Sequence, residues 1–237
     1  MTKVAVVIPF RDRGLDPLRA ANLVRVLDHW DTYWYEHAHL HIVDDGRTGR
    51  APFNRSAAYN RGRRAAGDAD VIVYAESDML IDAEQIRQAV DQAVSAPGLV
   101  VPFTQYHYLS EADSRHVRAG RLEPHQCAPE STMANGRAIG AINVVSTTTL
   151  DAIGQWDESF EGSWYDDNAM KIAFEKCAGP TRWITGPAHH LYHLPGWTGD
   201  HLTDIDRAAT RANRRRLAQY RHAHTPARIR DLTAGRA

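Results

Sequence analysis

Three short apolar runs, each followed at once by charged residues, constrain the fold of this chain more than any other feature. The runs are Val4–Ile8, His39–Val43 and Val71–Ala75, and segments with helical spacing of apolar residues separate them. Strands that alternate with helices favour an α/β fold with a mostly parallel central sheet flanked by helices. Ligands of such sheets bind beyond the carboxyl ends of the strands. The polar residues that follow the three runs are therefore predicted to meet in one crevice.

The remainder of the chain carries a weaker α/β pattern. Short strands are predicted over Leu99–Phe103 and over 138–146, and a polar helix over Leu202–Tyr220. Between the strands, 104–137 is polar, contains two prolines and shows no clear periodicity, so we expect a long loop that is functional or mobile. We place one globular domain over 1–200 and an Arg-rich C-terminal helix and tail over 201–237.

Composition excludes several classes of protein. The chain has 237 residues, 43% of them hydrophobic and 24% charged, which is typical of one large globular domain. It holds no apolar stretch of the roughly 18 residues that a membrane span requires. The first apolar run is too short for a signal peptide, and two cysteines cannot form a disulfide framework. We therefore expect a reduced, cytoplasmic protein.

Charge is unevenly distributed along the chain. The net charge is −1, but the segment from residue 204 to the end holds nine Arg against three Asp. Arginine favours bidentate contacts with phosphates and carboxylates, and a run of this kind is typical either of a polyanion-binding surface or of a solvated helix. Lysine is nearly absent from the whole chain, so a compositional bias towards arginine explains the same run.

Two clusters carry candidate metal ligands. Glu76 and Asp78 follow the third strand, where side chains two residues apart point the same way. Carboxylates placed in this way hold a hard divalent cation, which in turn binds a diphosphate, although a solvated turn explains the same residues. His190 and His193 reach one metal if the backbone bends between them. Ordinary packing of a His-rich strand is the alternative, because the chain has 13 histidines.

Two further groups carry candidate catalytic and anion-binding residues. Asp166 and Asp167 lie at the predicted start of a helix, where acids often only complement the helix dipole. The alternative is a general base, since a hydroxyl nucleophile needs a proton acceptor within hydrogen-bond reach. Arg11, Arg13 and Arg55 are candidates for pairing with phosphate oxygens, or they are ordinary surface arginines.

Taken in order, these clusters resemble the motifs of the β-1,4-galactosyltransferase family over roughly residues 3–195. One turn, Asp44–Gly46, is more similar to family 2 glycosyltransferases. The resemblance implies a metal-dependent glycosyltransferase with the A-type (nucleotide-diphospho-sugar transferase) fold. The matching segments are, in chain order, Ile8–Arg13, Phe53–Ser56, Asn60–Gly62, Glu76–Asp78, Gly140–Ser146, Gly154, Trp156–Asp157, Trp164–Asp167 and His190-x-x-His193.

The resemblance also implies roles for individual residues. Asp78, His190 and His193 are the implied ligands of Mn²⁺ or another divalent cation. Asp166 is the implied general base that deprotonates the acceptor hydroxyl, and Asp167 is the implied residue that orients the acceptor. Among the implied nucleotide-sugar-binding residues, Asp45 would contact the base, Glu76 would lie near the ribose or the metal, and Gly140 would leave room for the sugar. The full implied set is Pro9, Phe10, Arg11, Arg13, Asp45, Phe53, Arg55, Glu76, Ser77, Gly140 and Trp164.

Three departures from the family pattern bear on specificity. The first acid of the acid-x-acid step is Glu76, His190 stands where the animal enzymes carry a thioether, and the acidic loop lacks the usual run of Gly and Glu. Lactosamine synthesis therefore does not follow from the resemblance. What it implies is hexosyl transfer, with inversion, from a nucleotide donor such as a UDP-sugar. The acceptor would be a hydroxyl of a glycan, a glycoprotein or a small molecule.

Other functions fit parts of the same pattern. The Arg-rich tail suits an enzyme that glucosylates hydroxymethylated bases of nucleic acids. A non-catalytic nucleotide-sugar binding module would explain the crevice if the acids at 166–167 lie away from it. A zinc protein built on the histidine cluster lacks a supporting cysteine pair. Sugar transfer to a non-nucleic-acid hydroxyl is the function that we expect.

Overall fold

The computed structural model describes residues 2–34, 38–134 and 139–236, and it contains two sheets with helices packed around them. The strands are β1 (Val4–Pro9), β2 (Ala38–Val43), β3 (Val71–Ala75), β4 (Met79–Ile81), β5 (Val100–Val101), β6 (Gln105–Tyr108), β7 (Ser131–Ala134), β8 (Ile142–Ser146), β9 (Arg182–Trp183) and β10 (Pro187–His190). The helices are α1 (Pro17–Trp34), α2 (Arg55–Ala65), α3 (Ala83–Ser95), α4 (Glu111–Arg118), α5 (Thr147–Ile153), α6 (Asp166–Cys177), α7 (Asp204–His222) and α8 (Pro226–Thr233).

The larger sheet has six strands in the order β2-β1-β3-β8-β5-β9. Strand β1 runs parallel to both β2 and β3, whereas β8 runs antiparallel to β3 and β5. With β5 and β9 parallel, three of the five described pairs are parallel, so the sheet is mixed. All residues of β1 and β3 are buried because helices cover both faces of the sheet. The predicted α/β class is confirmed.

A second sheet of four strands, in the order β4-β10-β6-β7, was not predicted from the sequence. Strand β10 lies between β4 and β6, antiparallel to the first and parallel to the second. Residue pairing sets His190 beside Met79, directly after Asp78. This sheet therefore brings two distant parts of the chain together at the predicted metal ligands.

The segment 104–137 was predicted to be a long loop, and this prediction is wrong for its described part. The segment holds β6, α4, a 3₁₀ turn at Pro124–Gln126 and β7, while 135–137 lie outside the described residues. Helix α4 has eight residues and is capped by the Ser110 hydroxyl, which accepts from the amide of Asp113. Elements this short carry too few residues to show a period. The strand predicted over 138–146 is observed at 142–146, with Ala138 also outside the described residues.

The C-terminal segment after residue 200 packs into the same core as the rest of the chain. Leu217 and Tyr220 of α7 are buried in the core, and so is Leu232 of α8. Arg216 Nε and the Tyr220 hydroxyl both donate to Asp157 Oδ2, at 2.7 and 2.9 Å. Among the described residues, no helix combines the length and hydropathy that are needed to cross a bilayer. The Arg-rich helix is thus an amphipathic element of the globular fold.

We expect the substitution Gly62→Ala to destabilise the protein, because α2 lies on β1 at this position. A Cβ at residue 62 would lie 2.2 Å from Val7 Cγ1 and 2.9 Å from Val7 Cγ2. Overpacking of this kind outweighs the gain in helix propensity, for a net loss of about 1–2 kcal/mol in the free energy of unfolding. Denaturant titration measures the change, and the exposed Arg64→Ala variant on the same helix should stay near wild type. Equal or higher stability of Gly62→Ala would contradict this packing.

Candidate active site

A cavity of about 590 Å³ opens at the carboxyl ends of β1 and β3. Most of the predicted site residues line it, but Asp45 and Asp166 do not. Of the three polar clusters that were predicted to meet in one crevice, those after β1 and β3 lie at the cavity, whereas the cluster after β2 does not line it. The predicted residues that line the cavity are Pro9, Phe10, Arg11, Arg13, Phe53, Arg55, Glu76, Ser77, Asp78, Gly140, Trp164, Asp167, His190 and His193.

Asp78, His190 and His193 form a cluster with the composition of a metal site. One ligand atom of each lies within 4.8 Å of the others. Asp78 Oδ2 is 3.1 Å from His193 Nε2 and 3.8 Å from His190 Nε2, and the two Nε2 atoms are 3.1 Å apart. Asp78 Oδ1 is buried and has no hydrogen-bond partner among the described residues. A carboxylate oxygen left in this state suits coordination by a cation.

The surroundings keep this cluster ready to bind a cation. His193 Nδ1 lies 2.7 Å from the carbonyl of Leu194 and donates to it, so Nε2 is the ring nitrogen that faces Asp78 and His190. Burial lowers the pKa of His190 to about 4, which keeps that ring neutral at pH 7. Burial raises the pKa of Asp78, but the two histidine rings and Arg19 outweigh it and hold this pKa below its ordinary value.

Arg55 joins three carboxylates on one side of the cavity. Its Nε and Nη2 donate to Asp166 Oδ2 at 3.0 and 2.5 Å, and Nη2 also donates to Asp167 Oδ1 at 2.7 Å. Its Nη1 pairs with Glu76. One partly buried cation thus faces three acids from two parts of the chain, and the group carries a net negative charge.

Asp167 is the member of the acid pair that faces the cavity. Its carboxylate lies against Gly140, where a Cβ would come within 2.5 Å of Asp167 Oδ2. Gly140 was predicted to make room for the donor sugar, and in this structure it makes room for Asp167. Burial raises the pKa of Asp167 to about 6, and the Asp166 charge adds to this effect while Arg55 opposes it. Asp166 is buried, and its Oδ1 has no described partner.

The backbone beside these acids adopts an uncommon conformation. Ala141, Trp164 and Tyr165 have φ of +72°, +75° and +77°, and they are the non-glycine residues with positive φ in the described part of the chain. All three line the cavity. Asn213 of α7 holds the segment that contains Trp164 and Tyr165, because its Nδ2 lies 2.8–3.2 Å from the carbonyl oxygens of 161, 163 and 164. Strain that is held in place in this way is typical of functional sites.

Two predicted phosphate ligands already have carboxylate partners. Arg11 Nε donates to Asp45 Oδ1 at 2.7 Å, and Arg13 Nη2 donates to Asp206 Oδ1 at 2.6 Å. The amide of Asn54 donates to Asp45 Oδ2 at 2.8 Å. Asp45 lies behind Arg11 and braces it, so contact between Asp45 and a nucleotide base, which stays a prediction, requires this network to open.

Sequence reasoning missed several residues of the site. Tyr106 and Tyr108 of β6 flank the His190 ring, with ring centroids 5.5 and 5.3 Å away. Trp197 comes four residues after His193 and meets Trp164 edge-on, with the centroids 5.7 Å apart. The alternation Tyr-His-Tyr was the only signal for the first pair, and four residues are too few to reveal a strand. Trp197 gave no signal, because a lone aromatic residue in a Gly- and Pro-containing segment has no period.

Comparison with solved structures identifies the fold. No family model and no curated protein sequence matches the chain. The catalytic domain of Drosophila β1,4-galactosyltransferase 7, solved with xylobiose, is similar with a TM-score of 0.51 and 17% identity over 78% of this chain. The match spans 65% of that enzyme's chain.

Two other glycosyltransferases are similar over more of the chain. Glucosyl-3-phosphoglycerate synthase from Mycobacterium tuberculosis, solved with Mn²⁺, UDP and glucosyl-3-phosphoglycerate, has a TM-score of 0.54 and 13% identity, covering 94% of this chain and 80% of its own. GalNAc-T7, solved with UDP, GalNAc and Mn²⁺, has a TM-score of 0.52 and 12% identity, covering 94% and 50%. At these identities the likeness establishes the fold, which is the A-type glycosyltransferase fold that the sequence resemblance implied.

We expect the free energy of unfolding of an Asp167→Asn variant to exceed that of the wild type above pH 6. The folded-state pKa of about 6 lies above the ordinary value of 3.8, so ionisation of Asp167 costs stability as the pH rises through this range. At pH 8 the gain should reach about 1–3 kcal/mol, and it should vanish near pH 3.5.

Denaturant unfolding at a series of pH values measures this difference. Asp151→Asn, an exposed substitution away from the cavity, is the control that should show no such pH dependence. A gain for Asp167→Asn that stays constant from pH 3.5 to pH 8 would show that Asp167 ionises without cost in the folded protein.

Proposed function

We propose that this protein is a metal-dependent, inverting glycosyltransferase that moves a sugar from a nucleoside diphosphate donor, a UDP-sugar, to a hydroxyl acceptor. One observation carries the proposal. The Asp–His–His cluster and Asp167, the second acid of helix α6, line the same cavity, at the end of the sheet where ligands of α/β folds bind. A donor diphosphate and a nucleophile need these two kinds of group side by side.

The cluster fits a divalent cation such as Mn²⁺. Its donor atoms are one carboxylate oxygen and two imidazole nitrogens, and Asp78 Oδ1 is left without a partner among the described residues. Similar structures were solved with Mn²⁺ and UDP, which supports the same pairing here. When bound, the ion would neutralise charge on the diphosphate leaving group. Asp78, His190 and His193 are the residues that would hold it.

Residues of the cavity wall provide the donor site. The Phe53 ring lies beside the Arg11 guanidinium, with Arg11 Cζ 5.8 Å from the ring centroid, so an apolar face and a cation adjoin at one end of the cavity. Arg19, 3.9 Å from Asp78, adds positive charge beside the metal cluster. This arrangement favours a planar base at one end and phosphate oxygens at the other.

The carboxylate pair supplies the general base. The sequence resemblance assigned proton acceptance to Asp166 and acceptor orientation to Asp167. We assign proton acceptance to Asp167 instead, because it lines the cavity whereas Asp166 accepts two hydrogen bonds from Arg55. A pKa of about 6 leaves Asp167 ionised at pH 7 and well matched to a proton in transfer. Attack from the side opposite the diphosphate gives inversion.

Asp78→Asn should lose saturable Mn²⁺ binding and, with it, tight binding of UDP, because the cation loses its anionic ligand. Titration calorimetry with Mn²⁺ alone, and then with UDP and Mn²⁺, measures both effects. Asp44→Asn is the matched control, since Asp44 is exposed and pairs with Arg61 outside the cavity. UDP binding that is equally tight in excess chelator would rule out the metal-dependent site.

Asp167→Asn should lower kcat for sugar transfer by about 10²–10⁴-fold with little change in donor affinity, as expected for loss of a general base. Asp166→Asn should cost less, because Asp166 acts through Arg55. Steady-state kinetics on the best donor from a panel of UDP-, GDP- and TDP-sugars decides between the two. A larger loss for Asp166→Asn would restore the assignment from the sequence, and donor binding without any turnover in the wild type would indicate a binding module.

The acceptor we expect is a hydroxyl of a glycan, a glycoprotein or a small molecule. The alternative is a nucleic acid, which is favoured by four exposed arginines of α7 that have no carboxylate partner among the described residues: Arg211, Arg214, Arg215 and Arg221. We expect only weak binding of duplex DNA, with a log–log salt slope no steeper than about −4, since each neutralised phosphate contributes about −0.9. Fluorescence anisotropy at several salt concentrations measures the slope. Tight, salt-sensitive binding together with transfer to a hydroxymethylated base would favour the alternative.

A further inference from the structure

We infer that Arg55 is a positioning residue that couples the donor-side acid Glu76 to the acid pair of α6 and turns Asp167 Oδ2 towards the acceptor. This inference rests on the proposed function for its use of Asp167 as the base. The coupling of three carboxylates through one guanidinium can be measured whether or not the protein transfers a sugar.

The position of Arg55 is fixed by the backbone that carries it. Arg55 is the first residue of α2, and the N-cap Asn54 accepts a hydrogen bond from the amide of Ala57. The same Asn54 donates its amide to Asp45 and its Nδ2 to the carbonyl of Glu158, at 2.8 and 2.7 Å. A helix start that is tied at three points gives the guanidinium a defined origin.

Each nitrogen of the guanidinium has a partner. Nη1 pairs with Glu76, while Nε and Nη2 are directed to Asp166 and Nη2 also to Asp167. The other partners are fixed as well, since the amide of Glu76 donates to the carbonyl of Ala141 at 2.8 Å and Asp166 starts helix α6. A planar fork satisfies several acceptors at set angles, which a lysine ammonium cannot do.

This geometry separates the two oxygens of Asp167. Oδ1 accepts from Arg55 Nη2, whereas Oδ2 lies against Gly140 and accepts from no donor among the described residues. The hydrogen bond to Oδ1 therefore selects Oδ2 as the atom that is free to receive a proton. Without Arg55 the carboxylate would rotate, because no other described donor holds it.

The charges around Asp167 make the coupling measurable. Arg55 and Tyr59 face it from α2, Asp166 from α6 and Tyr106 from β6, and Glu76 acts on it through Arg55. Removing the Arg55 charge leaves the carboxylates without their cation, so Asp167 should hold its proton to higher pH. Neutralising Glu76 leaves more of the Arg55 charge for the α6 acids, so Asp167 should release its proton at lower pH. A residue at position 55 that only packed beside Asp167, without charge coupling, would predict neither shift.

Carbon-13 NMR titration of the aspartate carboxyl groups in the full chain tests this coupling, with the Asp167 signal identified by its loss in Asp167→Asn. We expect the Asp167 midpoint to rise by about one pH unit or more in Arg55→Gln and to fall in Glu76→Gln. Arg55→Lys should restore part of the shift but not wild-type kcat. Arg63→Gln, on the same helix and paired with the exposed Asp151, should leave the midpoint unchanged.

An unchanged Asp167 midpoint in both Arg55→Gln and Glu76→Gln would overturn the coupling, and so would shifts of the same sign. If Arg55→Gln does not fold, Arg55→Lys and Glu76→Gln carry the same test, because their expected shifts also oppose each other. The proposed function fails separately, through absence of sugar transfer in the wild type, and that result leaves the titration readable. If the titration confirms the coupling but the wild type transfers no sugar, the coupling through Arg55 stands and the proposed glycosyltransferase activity is rejected.

Discussion

The burial of charge at Arg55 is the constraint on which the cavity depends. Asp166 is buried, and Arg55, Glu76 and Asp167 are partly shielded from water, which is unfavourable for charged groups unless their mutual contacts are good. Here the contacts join the end of β3, the start of α2 and the start of α6, which are far apart in the chain. The fold can bury these groups only when all three elements are in place. Formation of the ion-pair group therefore requires the completed site.

The Asp–His–His cluster differs from the Arg55 group because its carboxylate has no arginine of the described residues within hydrogen-bond distance. Its three residues bring a buried carboxylate and two partly buried imidazole rings together, where an added cation improves the electrostatics. Pairing of β4 with β10 in the small sheet sets His190 beside Met79 and so holds His190 close to Asp78. In the described part of the chain, the cavity thus has one wall where an arginine already pairs with the carboxylates and another where a carboxylate has no arginine within hydrogen-bond distance. That asymmetry suits a ligand with a diphosphate at one end and a hydroxyl at the other.

The sequence predicted those parts of the structure that depend on local pattern or fixed spacing. Strand β3 was placed at its observed residues, whereas the convergence of Asp78, His190 and His193 was implied by the family resemblance and not by the strand end or the i, i+3 spacing alone. Prediction from the sequence failed where long-range pairing decides. Two features were not foreseen: Arg11 pairs with Asp45, and Asp167 lines the cavity instead of Asp166. Both depend on which charged side chains pair with each other across distant parts of the chain. The second sheet is built from strands of three or four residues, which are too short for a period to show.

Asn213 gives the C-terminal helix a consequence for the cavity that its position in the chain does not suggest. Its amide holds the strained segment before α6, and Asp206 of the same helix anchors Arg13. A chain cut before residue 204 would retain both sheets and all three candidate metal ligands. It would nevertheless lose the brace that keeps Trp164 and Tyr165 in their left-handed conformation. The terminal helix therefore supports the cavity wall. Removing this helix should make the segment that carries Trp164 and Tyr165 less ordered, although neither residue is itself removed.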